Sequence, residues 1–205
     1  AYLKDGGSEL QKAADLLASG KIVAWYEGAM EVGPRALGHR SLLADPRSEA
    51  MKYRLNERVK HRRPFRPYGP VLREEDADLF FEIPEAARLP CRFMLAAVRA
   101  RAQAYERIPA ALHADGTARP QLIAAREHPR LHALLGAFEK RTGVPALLNT
   151  SFNDREPIVG VPEDALATYL RTEVDALVME ERLLIKTAKA HRPLETYLPP
   201  RGGGK

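Results

Sequence analysis

The apolar positions of this chain fall into short periodic runs, separated by polar stretches rich in glycine and proline. Leu10, Ala13, Ala14, Leu16 and Leu17 recur at helical spacing between a capping Ser8 and a terminating Gly20, which predicts a helix over 8–19. Residues 21–26, β-branched and aromatic, predict a short strand. Residues 27–41 then carry three glycines and a proline, so the backbone must turn. Leu42-Leu43-Ala44 predicts a short strand closed by Asp45-Pro46, and Met51, Leu55 and Val59 predict a helix over 48–58. Prolines 64, 67 and 70 keep the following segment extended, Val71-Leu72 predicts a strand, and 74–80 a short acidic helix. Over 93–99 periodicity does not decide between strand and helix.

Residues 113–121 read as a polar turn, after which Leu122-Ile123 resumes an apolar run. Leu131, Leu134, Leu135 and Phe138 share one face of a helix predicted over 129–142, with Gly143 as its stop. A buried strand over 145–150 ends in polar residues, and 151–157 follows as a loop. A helix over 162–172 has Pro162 in its first turn, and 175–179 predicts a strand. The proline- and glycine-rich tail 199–205 is expected to be disordered. Helices and strands alternate without internal repeats or low-complexity linkers, which predicts one α/β domain with a sheet of mixed direction.

Composition narrows this picture. The 205 residues, 45% apolar and 29% charged, suit one soluble globular domain with a real core. No apolar run approaches the ~18 residues of a membrane span and no signal-peptide pattern opens the chain, and with a single cysteine the cytoplasm is the default expected compartment. The start at Ala1 fits a piece of a longer polypeptide, or a processed or tagged protein. The lone Cys91, between Pro90 and Arg92, builds neither a disulfide framework nor a thiolate metal cage, and reads as packing rather than as a reactive thiol. A net charge of +5 and a pI near 9.4 favour anionic partners. The excess is arginine-heavy and clusters in 60–66, and arginine recognises phosphate oxygens bidentately. A solvated basic face is the alternative.

No Walker A loop, dinucleotide-binding glycine turn or nucleophile elbow is present. His128 and His132 have a spacing that could bind zinc, but no third ligand accompanies them, so no metal site is expected. Four polar segments remain, each after an apolar run. In 31–41 the glycines allow backbone N–H groups to approach an anion, and Arg35 and Arg40 supply charge. Lys60 and Arg62, two apart in an extended segment, share a face, with Arg66 nearby. The third segment carries His113, Asp115 and Arg119. The fourth, at a strand end where α/β folds usually place ligands, carries Asn149, Ser151 and Asn153.

These segments contain longer strings: Met30-Glu31-Val32-Gly33-Pro34-Arg35-Ala36-Leu37-Gly38-His39-Arg40-Ser41, Ala44-Asp45-Pro46-Arg47, Leu55-Asn56-Glu57-Arg58-Val59-Lys60 and Phe65-Arg66-Pro67-Tyr68. Asp115-Gly116-Thr117-Ala118-Arg119-Pro120-Gln121, Arg141-Thr142-Gly143-Val144-Pro145, Asn149-Thr150-Ser151-Phe152-Asn153, Glu156-Pro157-Ile158-Val159 and Pro162-Glu163-Asp164-Ala165 follow. In that order, over nearly the whole chain, they resemble the C-terminal domain of the O-carbamoyltransferase family, which includes nodulation-factor and antibiotic carbamoyltransferases.

The resemblance implies that residues 1–198 form a YrdC-like domain: a twisted mixed sheet flanked by helices, with a concave ligand-binding face. It implies that Lys60/Arg62 and Ser151/Asn153 bind nucleotide and carboxylate-like groups; Arg66 and Asn149, from the same segments, are added as candidate cofactor-binding residues. It further implies that carbamoyl phosphate is cleaved to carbamate, which attacks the α-phosphate of ATP to give carbamoyl adenylate and pyrophosphate. Such anionic substrates need a cationic clamp, for which Arg35, Lys60, Arg62, Arg66 and Arg119 are candidates. Arg35, Arg119 and His113 are the candidate catalytic groups. His113 is placed for proton transfer, with a hydrogen-bonded turn histidine as the other reading. Magnesium can be held mainly by phosphates and waters, and the site should exclude water.

Three positions depart from the family pattern: Ala29 for an arginine, His39 for an asparagine, and a missing glycine before Glu156. Complete family members add an N-terminal Kae-like domain with a histidine-bound metal, iron or another, that transfers the carbamoyl group to a hydroxyl. No segment here matches it, so this chain is expected to activate but not to transfer. Two other readings are a stand-alone YrdC-like threonylcarbamoyl-adenylate synthase for tRNA modification and a non-catalytic basic RNA-binding module. The Gly-Pro-Arg-Ala-Leu-Gly and Asp-Gly-Thr-Ala-Arg-Pro-Gln strings argue against the first, and the lack of an aromatic platform against the second. Neither a membrane nor a nucleic-acid partner is expected.

Overall fold

The computed structural model describes residues 2–3 and 8–187. Its elements in chain order are β1 (Tyr2–Leu3), α1 (Ser8–Ala18), β2 (Val23–Tyr26), β3 (Arg40–Ala44), α2 (Glu49–Arg58) and β4 (Gly69–Arg73). A 3-10 turn at Glu74–Asp76 leads into α3 (Ala77–Phe80), β5 (Phe81–Glu82), α4 (Glu85–Arg92), β6 (Val98–Ala100) and α5 (Ala102–Arg107). After a second 3-10 turn at Pro109–Ala111 come β7 (Thr117–Ala118), β8 (Gln121–Ile123), α6 (Pro129–Thr142), β9 (Ala146–Ser151), α7 (Pro162–Arg171), β10 (Ala176–Met179) and β11 (Arg182–Ile185).

Eight strands form one mixed sheet in the order β1-β11-β10-β2-β3-β9-β4-β8. The pairs β2/β10 and β4/β8 are parallel and the others antiparallel. Every residue of β2 and β3 is buried, as in strands covered on both faces. The helices supply that cover: α1 inserts Ala13, Ala14 and Leu17 into the core, and α6 inserts Leu131, Leu134, Leu135 and Phe138. α1 and α6 also pack on each other, while α7 lies against β2 and β10. A small antiparallel sheet, β5-β6-β7, stands apart.

The four helices expected over 8–19, 48–58, 129–142 and 162–172 form with ends shifted by no more than a residue. Gly143, at φ 74°, closes α6 in the left-handed conformation. Val71-Leu72 is the centre of a longer β4 that begins at Gly69 and contains Pro70. β8 pairs with β4 only from Val71 onward, so Pro70, with no N–H to donate, has a neighbouring strand on one side alone. The acidic helix expected over 74–80 divides into a 3-10 turn and α3. The undecided segment 93–99 turns at Met94, where φ is 55°, and then enters β6. The small sheet, α4, α5 and β11 have no counterpart in the sequence pattern, because their apolar runs are too short to show a period. The tail 199–205 and the domain limit at 198 lie outside the described residues. Cys91 sits in the core, where burial raises its thiol pKa, so packing is its role.

Candidate functional site

Four segments converge where β9 ends and β3 and β4 begin. They enclose a cavity of about 220 Å³, walled by Arg35, Arg62, Arg66 and Arg119 and floored by Asn149, Thr150 and Ser151. Pro34, Ala36, Pro67, Tyr68, Gly69 and Met94 complete the lining, which contains no aspartate or glutamate. Among the described residues none of these four guanidiniums forms an ion pair, although most other arginines do. Burial, and then the positive charges of Arg35 and Arg66, pull the Arg119 pKa down. Arg35 Nε and Asn149 Oδ1 are buried with no hydrogen-bond partner. Unpaired cations and unsatisfied polar atoms around one space are stored unfavourable energy that an anionic ligand would relieve.

Gly69 shapes the cavity wall. It faces Asn149 across the β4–β9 ladder, and a Cβ there would collide with the Arg119 carbonyl and the Met94 methyl. Asn149 is fixed by its amide, which donates to the Gln121 side chain (2.6 Å) and the Ala36 carbonyl (3.1 Å). Gln121 in turn donates to the Leu37 carbonyl at 2.6 Å, tying the 31–41 loop to β8.

Lys60 and Arg62 do not share the face of an extended segment. His61 takes φ 43° between them, a left-handed kink, and the two side chains diverge. Lys60 Nζ turns inward and donates to the carbonyl and hydroxyl of Ser151 (2.6 and 3.1 Å) and to the carbonyl and side-chain oxygen of Asn153 (2.8 and 2.7 Å). Four acceptors surround an ammonium with three hydrogens. Burial, and then the charge of Arg62, push the Lys60 pKa down to about 7, with Asp154 and Glu156 opposing. Lys60 thus lies behind Ser151 and does not line the cavity, and neither does Asn153, whose Nδ2 donates to the Glu156 carbonyl at 2.6 Å. Arg62 turns to the cavity: its Nε donates to Asn56 Oδ1 at 2.6 Å, and its guanidinium lies 4.7 Å above the Tyr68 ring.

The 31–41 loop does not offer all its N–H groups to an outside anion. Glu31 Oε1 accepts from the N–H groups of Leu37 (2.6 Å) and His39 (2.8 Å), and Ser41 Oγ accepts from Gly38 (3.1 Å). The chain fills its own nest, and the loop presents Arg35 instead. Arg40 is likewise structural. It is buried, stacks 3.5 Å over the Tyr26 ring, and donates to the carbonyls of Glu27, Gly28 and Gly160.

His113 does not line the cavity. Its Nδ1 meets Thr117 Oγ1 at 3.0 Å, Thr117 is held by Asp115 at 2.7 Å, and burial with the nearby Arg119 charge lowers the His113 pKa. It sits in its own turn, outside the cavity lining. His128 packs on His39 with ring centroids 5.0 Å apart, while His132 meets Glu75 at 2.8 Å. The two do not converge, and among the described residues no group of three or more ligands could hold a metal ion. The sequence assigns no site role to Asn56, Gly69, Met94 or Gln121, although Asn56 and Gln121 fall within the matching strings. Asn56 carried one signal: it falls three residues before Val59 on the apolar face of α2, where a polar residue needs a partner.

A mixed, helix-flanked sheet around such a cavity is the YrdC-like fold. HypF, solved in a phosphate- and nucleotide-bound form, matches with a TM-score of 0.59 at 18% identity, over 87% of this chain and 22% of that one. YciO of E. coli matches with a TM-score of 0.53 at 9% identity, over 86% of each chain. The family model described as the carbamoyltransferase C-terminus matches residues 14–186, and the chain belongs to that family. Nodulation protein NolO of Bradyrhizobium diazoefficiens is 47% identical over 193 residues, which cover 92% of this chain and 35% of that protein. The 3'-hydroxymethylcephem-O-carbamoyltransferase of Amycolatopsis lactamdurans is 42% identical over 145 residues, 71% of this chain and 26% of that protein. The chain thus spans about a third or less of the length of these curated relatives.

Proposed function

We propose that this chain binds ATP and carbamoyl phosphate and forms carbamoyl adenylate, as the activating domain of an O-carbamoyltransferase. The observation that carries the reading is the ring of four unpaired guanidiniums around one cavity, in a member of the carbamoyltransferase C-terminal family. Carbamoyl phosphate loses its phosphate to water and leaves carbamate. A carbamate oxygen attacks the α-phosphorus of ATP as the bond to pyrophosphate breaks. Negative charge shifts onto the leaving pyrophosphate, and preorganised guanidiniums stabilise it. Arg35 and Arg119, whose charges already repel, gain most from that anion. Asn149 and Ser151, on the floor, orient the carbamoyl group by hydrogen bonds, and Lys60 with Asn153 fixes Ser151 from behind. The lining has no carboxylate, so the pocket makes no magnesium cage of its own. Magnesium belongs with the nucleotide, held by phosphates and water, and no step depends on a protein ligand to it.

Transfer to the acceptor hydroxyl falls to a separate N-terminal domain, in keeping with the length of the relatives. Among the described residues no helix is long and apolar enough to cross a membrane, and the substrates suit a cytoplasmic enzyme. The test is ATP–pyrophosphate exchange by the full-length protein. The reading expects exchange only when carbamoyl phosphate is present. Exchange supported instead by threonine and bicarbonate, or no exchange by a folded full-length protein, refutes it.

A further inference from the structure

One buried amide braces the 60–68 loop that carries two of the cavity arginines, and of their two side chains it bonds that of Arg62 alone. Asn56, in the last turn of α2, has no exposed surface. Its Oδ1 accepts from Arg62 Nε at 2.6 Å and from the Tyr68 hydroxyl at 2.7 Å. Its Nδ2 donates to the carbonyls of Pro64 at 3.0 Å and Arg66 at 2.9 Å, and its own carbonyl accepts the Arg62 N–H at 3.0 Å. All four hydrogen-bonding positions of the side chain are used, and all go to this loop. The loop has no ladder to hold it: Pro64 and Pro67 interrupt it, and His61 kinks it at φ 43°. Arg62 is held at Nε by Asn56, its guanidinium lies 4.7 Å from the Tyr68 ring centroid, and the residue lines the cavity.

Resting on the reading of the cavity as a nucleotide site, we propose that Asn56 is a positioning residue that sets Arg62 for the phosphates. A long side chain fixed beforehand loses less freedom when it binds, so removing its anchor should cost affinity even where the fold survives. Asn56 acts through Arg62, not on the ligand.

The test is a double-mutant cycle on the full-length protein, with ATP binding measured by calorimetry and folding by thermal melt. Asn56→Ala and Arg62→Ala should each weaken ATP binding by about tenfold or more, as expected for one charge-assisted contact. In the Arg62→Ala background, Asn56→Ala should cost no more than about twofold further. Because Asn56→Ala strands two carbonyls and could fail to fold, Asn56→Gln, which keeps an amide there, provides a second cycle. It keeps the donors and the acceptor but shifts them by one methylene, so it should weaken ATP binding by misplacing Arg62 and change little in the Arg62→Ala background. Additive losses in whichever cycle folds, or unchanged affinity in the Asn56 variants, overturn the proposal while leaving the nucleotide site intact. Failure of the folded wild type to bind ATP overturns both.

Discussion

Lys60 makes the site's affinity depend on pH in a direction that can be worked out. Its pKa, near 7 in the ligand-free protein, means that roughly nine-tenths of molecules carry the ammonium at about pH 6 and roughly one-tenth at about pH 8. A bound polyphosphate brings negative charge to the other side of Ser151 and restores the ammonium, so binding takes up a proton as pH rises. If the bound form stays protonated throughout, affinity for magnesium–ATP falls about tenfold between those two pH values, or about 1.4 kcal/mol. Calorimetry in two buffers of different ionisation enthalpy measures both quantities and should find close to one proton taken up at the higher pH. Lys60→Met should bind weakly with no such dependence. Parallel pH profiles for wild type and Lys60→Met would refute the reasoning, because the titrating group would then lie elsewhere. Stability follows with its own sign. Below about 7 both folded and unfolded chains hold the proton; between there and the ordinary 10.5 only the unfolded chain does. The stability due to Lys60 is therefore fully present above the ordinary pKa and lost as pH falls through 7. The melting temperature of wild type minus that of Lys60→Met should accordingly rise over that window.

Arg119→Met should leave the melting temperature unchanged or raise it, since it relieves repulsion from Arg35 and Arg66, while ATP affinity falls by about ten- to a hundredfold. A loss of stability in that variant would contradict the picture of an unpaired arginine ring. Gly69→Ala should destabilise the chain by about 1–3 kcal/mol, because its methyl meets the Arg119 carbonyl and Met94, and urea unfolding measures this. Glu31→Ala should both lower stability by about 1–3 kcal/mol and weaken ATP binding, since the N–H groups of Leu37 and His39 lose their acceptor and the Arg35 loop loosens. An equilibrium melt and a binding isotherm on the same sample check both effects.

The long elements were legible because their periodicity spans several turns, as with Leu131, Leu134, Leu135 and Phe138 in α6. The three-residue strands β6 and β8, and the two-residue strands around them, carry no such signal, and tertiary pairing alone defines them. Residue types at the site were legible too. Arg35, Arg62, Arg66, Arg119, Asn149 and Ser151 meet in one cavity although they come from four distant segments. Their geometry was not legible. A single left-handed residue, His61, sends Lys60 and Arg62 apart, and no alternation rule anticipates it. Glu31 fills a glycine-rich nest that the spacing left open to an outside anion, because a side chain six to eight residues upstream can supply the charge as well as a ligand can. His113, suited to proton transfer by type, folds into its own turn with Thr117.

The most direct measurement is a calorimetric titration of magnesium–ATP into the wild-type chain and into a variant in which Arg35, Arg62, Arg66 and Arg119 are all replaced by methionine. The account predicts one equivalent bound by the wild type, displaced by pyrophosphate and weakened by salt, and no binding by a variant that remains folded. A folded wild type that binds no ATP, or a variant that binds it with equal affinity, would contradict it.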